Sequence, residues 1–179
     1  MKNLLQGLNI YLIGMMGSGK STIAKLLAQE LNYRFFDTDI LITKVAQTTI
    51  NEIFASKGEE YFRDLEAKVL QEISSNVRSI IATGGGIVIK PENWGYLRYG
   101  ITIWLDVNVD TLTQRLANDD TRPLLKEQDL KLKLSSILEQ RLCLYQEADL
   151  TIKINSEQTP EEITSNILEM IPSIIKDKS

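Results

Sequence analysis

Two periods of apolar and polar positions alternate along this chain. Short apolar runs at residues 8–13, 79–83, 101–105 and 150–154, with Arg34-Phe35-Phe36 between the first two, read as strands. Between them apolar residues recur at helical spacing: Ile23, Leu27 and Leu31; Leu65, Val69, Ile73 and Val77; Leu112 and Leu116; Leu134 and Leu138; Ile163, Ile167 and Met170. Residues 38–54 are helical but weaker, with Gly58 expected as a stop before a long helix over 60–77. Pro91 opens a short helix that Gly100 ends, and a further helix is expected over 106–116. Thr159-Pro160-Glu161-Glu162 is a capping box that starts a last helix, expected to run to Pro172 before a tail that frays. Five strands alternating with helices predict an α/β chain, a five-stranded parallel sheet with helices on both faces. Repeats and linkers are lacking, so residues 1–179 read as one domain.

The first strand runs into Gly14-Met15-Met16-Gly17-Ser18-Gly19-Lys20-Ser21-Thr22, which fits G-x-x-x-x-G-K-[ST] in the strand–loop–helix setting that motif requires. Gly14, Gly17 and Gly19 let successive N–H groups, with those of Ser18 and Thr22, turn toward phosphate oxygens. The helix N-terminus adds its orphan donors and dipole. Lys20 brings a compact positive charge to the terminal phosphates, and the Ser21 hydroxyl suits Mg²⁺. The stretch predicts binding of a nucleoside triphosphate.

Composition narrows the chemistry. The 179 residues are 43% hydrophobic, enough for a sizeable core, and the formal net charge of −4 argues against a nucleic-acid or anionic-membrane partner. No stretch approaches the roughly 20 apolar residues of a membrane span. The single Cys143 forms no intrachain disulfide and is expected to be buried and inert; with little chain before Leu8 for a leader, a cytoplasmic location is expected. Histidine is absent, so the chemistry must run on carboxylates, Lys, Arg and a hard metal ion.

Asp37-Thr38-Asp39 falls at the C-terminal end of the second strand, where open α/β sheets bind ligands. Glu66 lies at i+3 from Arg63, placed to hold its guanidinium. Gly84-Gly85-Gly86 follows the third strand and marks either a close backbone approach or a plain loop. Residues 118–128 are polar and charged, contain Arg122-Pro123, and read as a mobile flap. Arg141 and Tyr145 share the core-facing stripe of the helix that begins near Asp129, so Arg141 needs an anionic partner there. Arg63 and Arg141 suit a carboxylate on an acceptor; Arg115 and Arg122 suit closure over a triphosphate, with surface ion pairs as the simpler reading of Arg115.

In this order and spacing, the phosphate loop, Asp37-Thr38-Asp39, Phe62-Arg63 with Glu66, Thr83-Gly84-Gly85-Gly86, Arg122-Pro123-Leu124-Leu125, and Arg141 with Tyr145, Glu147 and Asp149 resemble the shikimate kinase family over essentially the whole chain. Pro91-Glu92-Asn93-Trp94 and Trp104-Leu105-Asp106 are similar to its plant and cyanobacterial branch. The resemblance implies a three-layer P-loop kinase fold of the nucleoside-monophosphate-kinase type. It also implies a mobile lid at about 118–128, a shikimate-binding region at about 37–66, and a monomer. The implied reaction is phosphoryl transfer from ATP to the 3-hydroxyl of shikimate, a step of chorismate and aromatic amino acid biosynthesis. The family pattern implies that Asp39, Arg63, Arg141 and the glycines Gly84, Gly85 and Gly86 hold shikimate, with both arginines on its carboxylate. Ser21 ligates Mg²⁺, Asp37 reaches it through water, Arg122 folds over ATP, and Gln158 lies beside the adenine. Lys20, Asp39 and Arg122 are the implied catalytic residues. Cys143 stands where the family often carries proline.

Two other readings compete. One is another P-loop kinase, for gluconate or a nucleoside monophosphate; the paired arginines and Gly84-Gly85-Gly86 favour a compact acidic polyol as acceptor. The other is a non-catalytic ATP-binding regulator, against which Asp39, Lys20 and Arg122 all count.

Overall fold

Every residue of β1 (Ile10–Ile13) and β3 (Ser79–Ala82) is buried, which a strand achieves when both faces of its sheet are covered. The computed structural model, which describes residues 5–117 and 130–177, sets β1 at the centre of a five-stranded sheet of order β2-β3-β1-β4-β5. The others are β2 (Arg34–Asp37), β4 (Ile101–Val107) and β5 (Leu150–Ile154). All neighbours pair in parallel, with Ile10 in register with Ile80 on one side and Ile101 on the other. Parallel pairing requires crossovers. They are α1 (Lys20–Leu31), α2 (Thr38–Ala46) with α3 (Ile50–Ser74), α4 (Pro91–Leu97), and α5 (Val109–Leu116) with α6 (Leu130–Tyr145); α7 (Pro160–Asp177) follows β5. Because the strands run one way, their C-terminal ends share an edge. The order β2-β3-β1 sets Asp37, the Gly84–Gly86 loop and the phosphate loop side by side there.

The predicted stripes form the core. Ile23, Leu27 and Leu31 of α1 and Ile163, Ile167 and Ile171 of α7 are buried in one cluster with the strands, and α1 packs on α7. Truncating the fully buried Leu27 to Ala costs about 3 kcal/mol. A separate cluster of Ile42, Ile53, Phe62 and Val69 ties α2 to α3.

Element boundaries differ from the sequence pattern for local reasons. Residues 38–54 form two helices, because Gln47 adopts a left-handed conformation (φ 52°) and Thr49 with Glu52 starts α3 through a capping box. Gly58 interrupts the helical conformation as expected, at φ 82° and ψ 173°, so α3 consists of two helical segments joined at a kink. That helix ends at Ser74, where Ser75 Oγ and Asn76 Nδ2 donate to the carbonyls of Glu72 and Ile73, so Val77 lies beyond the stripe and is 62% exposed. The fourth strand continues to Val107 through its pairing with β5, and Asn108 caps α5 by accepting from Thr111 N at 2.8 Å. The last helix passes through Pro172 to Asp177; burial of Ile171 with partial burial of Ile174 and Ile175 offsets the roughly 3 kcal/mol that an interior proline costs. Met170 lies off the buried face. Cys143 is exposed rather than buried, because two residues along α6 rotate it away from Arg141 and Tyr145. No described helix is long and apolar enough to cross a membrane.

Candidate active site

The loop between β1 and α1 holds Gly14, Gly17 and Gly19 at φ 137°, 77° and 92°, values that side chains resist. Gly19 is the N-cap of α1 and supplies no side-chain cap, and the first turn carries no acidic residue. The amide end of this helix is therefore suited to an anion, with no acidic side chain in its own first turn. Lys20 is buried, and its Nζ donates to the carbonyls of Gly14 at 2.8 Å and Met15 at 2.7 Å and to Ser18 Oγ at 3.3 Å. The ammonium is thus held in the mouth of the loop. From α5, Arg115 Nη1 donates to the Gly17 carbonyl at 3.1 Å. That sets an exposed guanidinium against the loop, with no ion pair to it among the described residues.

Asp37 serves two elements. Its Oδ1 accepts from the N–H groups of Asp39 at 3.0 Å and Ile40 at 3.2 Å, capping α2, while its Oδ2 accepts the Ser21 hydroxyl at 2.5 Å. Paired hard oxygens beside the phosphate loop fit Mg²⁺, which takes one or two protein oxygens and fills its octahedron with phosphate and water.

The loop after β3 is shaped by close approach. A Cβ on Gly86 would overlap the Arg63 guanidinium, and one on Gly84 would overlap Glu66 Oε1 and come within 3.0 Å of Asp39 Oδ1. Gly84 N donates to the buried Thr38 hydroxyl at 2.8 Å, which fixes the loop to the start of α2. Arg63 Nη1 donates to Glu66 Oε2 at 2.7 Å, and its Nη2 to Glu59 Oε1 at 3.0 Å. Burial pushes the Glu66 carboxyl above its usual range, against the pull of Arg63. Burial also opposes the charge on Arg63, but Glu66 and Glu59 outweigh it and keep the guanidinium charged. The second Glu66 oxygen, Oε1, is buried with no hydrogen-bond partner among the described residues.

On the far side, Arg141 Nη1 and the Tyr145 hydroxyl both donate to the Gly85 carbonyl, at 3.2 and 2.6 Å. Arg63, Glu66, Asp39, Arg141 and the three glycines thereby line one pocket, walled by Ile50, Phe54 and Phe62. A second pocket is lined by Gly17, Gly19, Lys20, Ser21, Thr22, Asp37 and Thr83. The two have Met16, Asp39 and Gly85 in common. An anionic nucleotide in one and a carboxylate-bearing acceptor in the other would meet at Asp39.

Most residues singled out from the sequence converge here. Gly14 and Ser18 face inward to hold Lys20 rather than lining either pocket. Gln158 lies in the turn after β5, where its Oε1 accepts from Asn155 N at 2.9 Å. Arg122 and the flap at 118–128 lie outside the described residues. The sequence reading did not single out Met16, Ile50, Phe54 or the hydroxyl of Thr38. An apolar wall on a polar pocket leaves no motif, and Thr38 showed only as a spacer between two aspartates.

Comparison with known proteins agrees with this geometry. The family model described as "Shikimate kinase" matches residues 16–172. A shikimate kinase of Rippkaea orientalis is 63% identical over 177 residues, 99% of this chain and 95% of its own length. One of Trichormus variabilis is 56% identical over 176 residues, covering 98% and 97% of the two chains. The solved shikimate kinase from Acinetobacter baumannii in complex with shikimate superposes with a TM-score of 0.92 at 37% identity, over 96% of this chain and 97% of that one. With the phosphate loop, the arginine-lined pocket and the full-length likeness in agreement, this chain belongs to the shikimate kinase family.

Proposed function

We infer that this enzyme transfers the terminal phosphoryl group of ATP to the 3-hydroxyl of shikimate. The observation that carries the reading is the pair of pockets meeting at Asp39, one phosphate-binding and one bearing two arginines. In this reading residues 37–66 and the Gly84–Gly86 loop receive the acceptor. Arg63 and Arg141 take its carboxylate, the guanidinium geometry matching two oxygens. Asp39 receives the ring hydroxyls, and the orphaned Glu66 Oε1 accepts a further hydroxyl or water, since a buried carboxylate oxygen needs a donor. Ile50, Phe54 and Phe62 cover the apolar ring edge and exclude water.

A loose phosphoryl-transfer transition state calls for positioning and charge cancellation more than for covalent help. Asp39 orients the attacking hydroxyl and accepts its proton late. Lys20 leaves the Gly14 and Met15 carbonyls for the phosphate oxygens and stabilises the transferring group, with Arg115 beside Gly17. Arg122, in the lid at 118–128, closes over ATP, and Gln158 borders the adenine. Ser21 and Asp37, the latter through water, would hold Mg²⁺, which supplies charge neutralisation on the phosphate oxygens when bound.

ADP release measured with Mg²⁺-ATP and shikimate, gluconate or nucleoside monophosphates as parallel acceptors tests the reading. Turnover is expected with shikimate alone. Turnover with another acceptor instead would overturn the assignment of Arg63 and Arg141, and ATP binding without turnover would favour a regulator.

A further inference from the structure

Tyr145 lines neither pocket, yet it is fully buried among their supports. Its ring stacks on Trp104 with centroids 5.7 Å apart at 16°, so packing leaves the ring one orientation. The hydroxyl donates to the Gly85 carbonyl at 2.6 Å and lies 3.8 Å from Met15 Sδ. The same carbonyl accepts from Arg141 Nη1 at 3.2 Å, which is long for a charge-assisted bond. The neutral hydroxyl therefore supplies the close partner and the guanidinium the loose one. Burial pushes the Tyr145 phenol upward, which keeps it a donor across the working range.

We propose that Tyr145 is a positioning residue for acceptor binding: by satisfying the Gly85 carbonyl, it leaves the Arg141 guanidinium free to turn toward the acceptor carboxylate. The Gly85 carbonyl is partly buried, and a carbonyl shielded from water by such packing takes its partners from the protein. Without the hydroxyl, Gly85 draws Arg141 closer and competes with the acceptor for its donors. The proposal rests on the reading that Arg141 takes the carboxylate.

Tyr145→Phe keeps the ring, the stack and the volume. The test is titration of wild type, Tyr145→Phe and Arg141→Gln with shikimate and with its neutral methyl ester, alongside an ATP titration and a melting curve. For Tyr145→Phe, the shikimate dissociation constant is expected to rise about tenfold, the scale of one lost hydrogen bond. The ester and ATP constants should stay within about twofold of wild type, because neither has a carboxylate for Arg141. Equal weakening of shikimate and ester, or a lower melting temperature with shikimate binding unchanged, would overturn the proposal and leave Tyr145 a packing residue. Arg141→Gln separates the two levels. If it weakens acid and ester alike, the carboxylate reading itself fails and the proposal with it. If it weakens the acid alone while Tyr145→Phe weakens both, only the proposal fails.

Discussion

Arg63 and Glu66, one turn apart on α3, are both buried, and the guanidinium donates to the carboxylate at 2.7 Å. Taking charges out of water is costly, and breaking such a pair from one side leaves the other charge uncompensated. Here the pair has a use beyond stability: it aims Arg63 under Gly86, where any side chain would collide with it.

Glu66→Ala is accordingly expected to lower stability by about 3 kcal/mol, the low end for a broken buried pair, because Glu59 still holds Nη2. Glu66→Gln keeps a hydrogen bond to Arg63 and should lose less stability, while still raising the shikimate KM. Urea unfolding and steady-state kinetics on the two variants check this. Equal stability of Glu66→Ala and wild type would contradict it.

Asp37 carries two roles that substitution can separate. Asparagine is as good an N-cap as aspartate, so Asp37→Asn should melt near wild type yet lose about tenfold or more in turnover, since a charge is missing beside Ser21 and the phosphates. Asp37→Ala removes the cap of α2 as well and should cost about 1 kcal/mol in addition. Asp37→Asn with normal turnover would remove the metal role.

The start of α3, which carries Ile50 and Phe54 to the pocket wall, is sensitive to acid. Glu52 accepts from Thr49 N and from the hydroxyls of Thr48 and Thr49, and the Thr48 hydroxyl, then the Thr49 amide and hydroxyl, hold its carboxyl down at about 2. A depressed folded value means that the unfolded chain takes the proton first. The contribution of Glu52 is therefore complete above the unfolded value of about 4.3 and is lost as pH falls toward 2. An NMR titration of the Glu52 side chain should show a midpoint near 2; a midpoint at the ordinary glutamate value would show that the box does not persist in solution.

What could be read from the sequence was what is local. The phosphate loop is a contiguous motif, and its three glycines adopt the positive φ values that their spacing implies. The Arg63–Glu66 pair follows from helical spacing alone. Fully buried strands announced themselves as unbroken apolar runs. What could not be read was tertiary. That Gly84 meets Thr38, and that Gly85 meets Tyr145 sixty residues away, depends on sheet order. The apolar run of the fourth strand stops at Leu105 and Asp106 looks like a helix start, yet edge pairing with Lys153 keeps the strand extended to Val107. Pro172 looked like a terminator because its cost is local, and the burial of Ile171 that offsets it is not.

Arg63→Ala tests the two-pocket account most directly. Separate calorimetric titrations with shikimate and with an ATP analogue should show shikimate binding lost and nucleotide binding within about twofold of wild type, since Arg63 lines only the acceptor pocket. Loss of both to the same extent, or shikimate binding unchanged, would contradict the division of the site at Asp39.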